Sequence, residues 1–323
     1  MFITLKERID SLCDYTYTFT LKPGRLRPDS IIPSQEDTNY TFKDLVDELR
    51  SGGEVRIRTS AGKRLANSMG ADLRQFGGTG GIEKAGRLFI EGDVSPEMGM
   101  GMVSGIIYVK GNVEEPLGNI VEVISDQQGF RKFRSITEIL CEGIGNDSLI
   151  KNNYDVLKKH ITLNDGILRG TISARCYCDS LVSIEGDAYN GTGLLMRKGV
   201  VHIQGNAGMN SGAHLDGGIV IVDGTAGEFA GAYMKRGALI LNDAKGFAGA
   251  NLKDGVLYAK KTIRTAPPVE ELSMSQEDTK VIIRYLGIGH VEAMSYHKYG
   301  FVKEKLVRMR DGSVVVRKVG REQ

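Results

Sequence analysis

The stretch ANSMG, Ala66 to Gly70, places a serine two residues before a glycine, the spacing by which a nucleophile elbow exposes a serine hydroxyl. Ser68 would be the nucleophile of an ester hydrolase, with His160, His202, His214, His290 and His297 as the available bases. An elbow needs a buried strand before its serine and a helix after it. The preceding SAGKRL is polar and glycine-broken, so Ser68 reads first as a loop or short-helix serine. GGTGG, Gly77 to Gly81, has the glycines of a phosphate loop without its lysine and hydroxyl residue, and fits better as a corner before Gly92. Cys176 and Cys178 form a C-x-C pair that lacks the four-ligand spacing of a structural zinc site. With Cys13 and Cys141 they are too few and too scattered for a disulfide framework. The residues therefore assign no catalytic group except Ser68 as an alternative, and no cofactor or metal.

Composition narrows the classes further. A formal charge of +2, with Arg131, Lys132 and Arg134 as the densest basic run, argues against a nucleic-acid partner. No run of 18 apolar residues occurs and no apolar core follows MFITLKERID, so the expectation is a cytoplasmic protein without a membrane span. Forty-two glycines against seven prolines, without a strict triplet, point to many tight turns.

The glycines repeat. GNAGMNSG is followed 19 residues later by GTAGEFAG, placing Gly205, Gly208 and Gly212 in step with Gly224, Gly227 and Gly231. The same frame contains Gly92, Gly111 and Gly186, each with a second glycine seven residues on at Gly99, Gly118 and Gly193. Four residues before these first glycines stand Leu88, Ile107, Val182, Val201 and Val220; two before stand Ile90, Val109, Ile184, Ile203 and Val222. Such alternation is that of a strand with one buried face. Asp93, Asn112, Asp187, Asn206 and Thr225 follow the glycines and suit turns. A unit of this length buries its inner face only by stacking on copies of itself, which predicts an all-β solenoid, a right-handed parallel β-helix with rungs of about 19 residues.

The helix spans 77–260, with a last rung from Ala238 to Lys260 out of strict frame. It is interrupted by a helical insertion at about 119–166, with helices predicted at SITEIL and at NNYDVLKKHI, Asn152 to Ile161. Residues 1–76 form a cap with a strand at TYTFTLK and a helix at TFKDLVDELR. Residues 261–323 form another, with a helix from Gln276 to Leu286 opened by Ser273 and Gln276 and a hairpin about Asp311 and Gly312. The outward column includes Phe89, Tyr108 and Ile221, which something must cover: the flanks of this chain or a partner. Phe130, Arg131, Lys132, Phe133 and Arg134 are the interface candidates, with Phe133 and Arg134 expected at or near a contact.

The repeat GNAGMNSG and GTAGEFAG resembles the glycine-repeat family shared by the C subunit of formylmethanofuran dehydrogenase and the β-helical third segment of the glutamate synthase large subunit, over roughly 87–260. The rungs RLFIEGDVSPEMGMGMVSG and GIIYVKGNVEEPLG are most like the former. The resemblance implies a non-catalytic scaffold subunit in an archaeal methanogenic setting. Its partners would be the catalytic subunits of a hetero-oligomeric redox or amidotransfer enzyme. It carries no catalytic residue onto this chain, because the matching positions are structural glycines and their aliphatic neighbours. The insertion and the long flanks depart from both patterns.

Overall fold

The computed structural model describes residues 1–17, 28–308 and 314–320, which form two compact units, Met1–Cys176 and Tyr177–Gln323. Each is a parallel β-solenoid segment.

In the first unit the elements run β1 (Phe2–Leu5), β2 (Gln35–Glu36), α1 (Phe42–Arg50), β3 (Glu54–Ile57), β4 (Arg87–Ile90), β5 (Ile106–Val109), β6 (Ile120–Val123), β7 (Arg131–Ser135), α2 (Ile136–Glu142), β8 (Asn153–Asp155) and β9 (His160–Leu163). β1, β3, β4 and β5 pair in parallel, with Ile3, Ile57, Ile90 and Val109 in one inward column. Two rungs therefore precede Gly77, inside the segment expected to be a cap. α1 lies between them, held by a capping box in which Thr41 and Asp44 exchange hydrogen bonds. GGTGG is a side loop rather than a rung corner. An Ala71–Ile82 bridge closes it, and Thr79 donates from both its backbone N–H and its hydroxyl to Asp72 at 2.7 Å.

The insertion is mostly β. Ser135 caps α2 as its sequence suggests, but Asn152–Ile161 forms the hairpin β8–β9 instead of a helix. Asn152 decides this: its amide donates to Ile150 O and Asp165, and its oxygen accepts from Asn164 N–H, so both ends of the hairpin are tied together.

In the second unit β10 (Leu181–Ile184), β11 (Val200–Ile203), β12 (Asp216–Ala226), β13 (Arg236–Ala244) and β14 (Val256–Ala259) pair in parallel in chain order. β15 (Val269–Leu272), α3 (Gln276–Leu286), α4 (His290–Ala293), β16 (His297–Arg308) and β17 (Val314–Gly320) follow. β16 lies antiparallel between β14 and the edge strand β15 and forms a hairpin with β17; its expected tip, Asp311 and Gly312, lies outside the described residues, as does most of TYTFTLK. The expected inward residues Leu88, Ile90, Val182, Ile184, Val201, Ile203, Val220 and Val222 are all buried.

The corners repeat a backbone device. Positive φ recurs at alternate residues, as at Asn210, Gly212 and His214, then Phe229, Gly231 and Tyr233, then Phe247, Gly249 and Asn251. Only the middle position faces inward against the next rung: a Cβ on Gly212 would stand 2.3 Å from Leu239 Cδ1. That is why the middle column is glycine while its neighbours are not. Asp and Asn after the first glycines also do more than turn the chain. Asp187 Oδ1 accepts from Asn206 N–H at 2.7 Å, and Asn206 Oδ1 accepts from Thr225 N–H at 3.0 Å, a ladder from rung to rung.

The outward columns are covered within each unit. In the first, Phe89 stacks on Tyr108 at 4.5 Å and Phe130 meets Phe89 edge-on. In the second, α3 and α4 pack Ile282 and Ala293 over Ile221, Ile240 and Tyr258. Asp278 pins that cover. It caps α3 with Ser275, in place of the expected Ser273 and Gln276 pair, and accepts from Tyr258 Oη at 2.6 Å and Lys298 Nζ at 2.9 Å. Burial pushes its carboxyl up, but the bonds from Ser275, Tyr258 and Lys298 outweigh this and bring it down to about 2. Asp278→Ala should cost about 2–4 kcal/mol by removing a cap and two charge-assisted bonds. A depressed carboxyl stabilises above its unfolded value of 3.8 and loses that contribution as pH falls through about 2. The difference in thermal stability between wild type and variant should therefore persist down to pH 4 and shrink below it.

Candidate functional site

Ser68 lies in a run of turns between Ala61 and Gly70, with neither a strand leading in nor a helix leading out. Its φ of 54° belongs to the corner series Arg64, Ala66 and Ser68, and its N–H donates to Met100 O of the next rung at 2.7 Å. The left-handed backbone that an elbow would need thus has a structural cause here. Among the described residues its hydroxyl makes no hydrogen bond to a histidine.

The histidines are dispersed. His160 begins β9, and burial lowers its pKa. His202 Nε2 sits 2.9 Å from both Asp223 oxygens, and His297 Nδ1 2.7 Å from Glu271. His290 opens α4 in an exposed position. His214 stacks on Tyr233 at 4.9 Å with the rings 4° apart, and its pKa falls through burial and the nearby Lys235.

Of the cysteines, Cys13 and Cys176 are buried and outside any disulfide, and burial raises the Cys13 thiol. Cys176 Sγ lies 3.7 Å from Cys141 Sγ in the same unit. Cys141, in α2, is disulfide-bonded.

The interface candidates form a covering strand instead of an exposed arm. Phe133 has no accessible surface and Lys132 is 5% exposed. Arg131 makes a bidentate pair with Glu122 at 2.9 and 2.6 Å. Lys132 Nζ reaches Asp126 and Asp147 at 3.0 and 2.9 Å, and Arg134 bonds Ile144 O and Asp147. β7 lies antiparallel on β5, which turns these side chains toward the unit's own charges and makes Phe133 part of its core. An interface centred on Phe133 and Arg134 is not what this packing presents.

Val291 and Met294 are exposed in and just after α4, and a second group of exposed apolar side chains lies on the glycine corner. Met209, Tyr233 and Phe247 are 40%, 45% and 38% exposed. Phe229 stacks on Phe247 at 5.3 Å, with the Arg264 guanidinium 5.0 Å from the Phe247 ring. Phe229, Tyr233 and Phe247 occupy outer positive-φ positions of successive rungs, so their stacking follows from the repeat. The sequence carries the signal in GTAGEFAGAYMKRG, where Phe229 and Tyr233 flank the inward Gly231.

No protein-family model matches the chain. It is 44% identical over 195 residues to an uncharacterized protein of Methanothermobacter thermautotrophicus, an alignment that spans 60% of this chain and 62% of that protein's length. Among solved structures it is similar to a chain of the formyltransferase/hydrolase complex FhcABCD from Methylorubrum extorquens, crystallised with methylofuran. That likeness covers 91% of each chain at 16% identity and a TM-score of 0.31, too loose to argue from. Among the described residues no helix is long and apolar enough to cross a membrane.

Proposed function

We propose that the chain is a non-catalytic scaffold subunit of a hetero-oligomeric enzyme, most like the C subunit of formylmethanofuran dehydrogenase in methanogenic one-carbon metabolism. The observation that carries this reading is the aromatic corner of the second unit. Tyr233 and Phe247 are held rigid by stacking and by a backbone the repeat itself fixes, yet they remain exposed. Preorganised aromatic side chains of this kind dominate protein interfaces because they bury large areas at small entropic cost. The glycine repeat's resemblance to the C subunit supports the choice of partner class, and the repeat residues themselves are accounted for by turns and packing.

Affinity purification from the native cells at low salt tests the proposal. Stoichiometric enzyme subunits should co-purify, and Tyr233→Asn with Phe247→Asn, which preserve left-handed backbone, should weaken that association at least tenfold. Recovery of the wild-type chain alone as a monomer would remove the reading's support.

A further inference from the structure

The second unit holds a groove of about 620 Å³ between α3 and the leading ends of β12, β13 and β14. Its floor is bare peptide for a steric reason. Gly218, Gly237 and Gly255 enter the strands at positive φ, and a Cβ on Gly237 would meet Gly218 O at 2.5 Å. Side chains are therefore excluded from the floor, and the space stays open. Ile219 and Val256 supply an apolar wall of half-buried surface.

The other walls carry three cations and two carboxylates. Lys280 and Arg284 stand four residues apart on α3, hence on one face, and Arg236 lines the groove from β13. Carboxylates answer two of these charges: Glu277 takes Lys280 at 2.6 Å, and Asp216 takes Arg236 Nε at 2.9 Å. Asp254, also in the lining, accepts the Gly255 N–H at 2.8 Å. Arg284 has no carboxylate partner among the described residues; its guanidinium lies 5.6 Å from the Tyr285 ring centroid. A planar guanidinium beside an aromatic ring, in a groove with an apolar wall that a second arginine also lines, is suited to an oxyanion attached to an apolar body.

We propose that this groove is a binding site for a small organic anion, with its carboxylate or phosphate on Arg284 and Arg236 and its apolar or aromatic part against Ile219, Val256 and Tyr285. The site is independent of the scaffold role, since it lies on α3 and the leading ends of the strands and uses none of the corner aromatics.

Saturation-transfer NMR on the purified full chain, with phenyl phosphate, benzoate, inorganic phosphate and benzylamine as probes, tests it. Phenyl phosphate or benzoate should bind saturably, and whichever is tighter identifies the head group. Arg284→Ala should weaken that binding at least tenfold, while benzylamine should not compete. Arg284 is exposed, so the variant should fold, as circular dichroism will check. Absence of saturable binding by either aromatic anion, or binding unchanged in both Arg284→Ala and Arg236→Ala, would overturn the site. Inorganic phosphate binding as tightly as phenyl phosphate would overturn the apolar half of the assignment.

Discussion

Arg169→Met is expected to cost the first unit about 3–5 kcal/mol, because it strands a buried carboxylate. Arg169 and Asp165 are 2% and 4% exposed, joined at 2.7 and 2.6 Å in a bidentate pair. Arg169 Nε donates to Ile120 O, and the Asn152 amide donates to Asp165, so the pair ties the β8–β9 hairpin to the strand at which the chain left the rungs. Burial alone would raise the Asp165 carboxyl, but Arg169 and Asn152 hold it below its ordinary value of 3.8. The contribution is therefore present above that value and disappears as pH falls through the lower folded pKa. Urea unfolding of Arg169→Met and Asp165→Leu, singly and together, separates the pair from its packing. The double variant should be more stable than the sum of the single losses implies, since it leaves no unpaired buried charge. Strict additivity would mean that the two side chains are not coupled.

This pair also shows where sequence reading stops. Asp165 and Arg169 stand four apart in NDGILRG, a spacing that suggests a helical ion pair, and nothing local reveals that Ile120 and Asn152 complete it. What was legible depended on repetition. The aliphatic columns and the middle glycines recur because each rung packs on the last, and the capped helix at Thr41 is a purely local signal. The two earliest rungs were missed because Cys13 and Ala66 occupy the left-handed positions that glycine holds later, and the segments 18–53 and 72–86 break the 19-residue frame. A non-glycine residue there costs about 1–2 kcal/mol of backbone energy. Rung-to-rung bonds such as Ala66 N–H to Leu12 O and Gly99 N–H to Leu65 O offset that cost. The aromatic corner was overlooked for a related reason: Phe229, Tyr233 and Phe247 show no strand alternation, and their exposure follows from three-dimensional stacking rather than from local periodicity.

The strand register itself has the most severe test. Val201 is fully buried between Val182 and Val220 of the adjoining rungs, with Ile203 following on the same face. Val201→Asp would place a carboxylate among aliphatic neighbours with no cation or donor to meet it, and should cost more than about 4 kcal/mol. Gln204→Asp introduces the same charge three residues later at an exposed position, and should change stability by less than about 0.5 kcal/mol. The contrast is sharp because side chains alternate along a strand: a shift of one residue would bring Val201 to the surface and reverse the inward and outward columns. Thermal unfolding of the two variants, with wild type alongside, measures it. Equal stability in Val201→Asp and wild type would invalidate the inward column and the stacking of rungs built on it. A large loss confined to Val201→Asp would establish that the second unit depends on a continuous aliphatic interior.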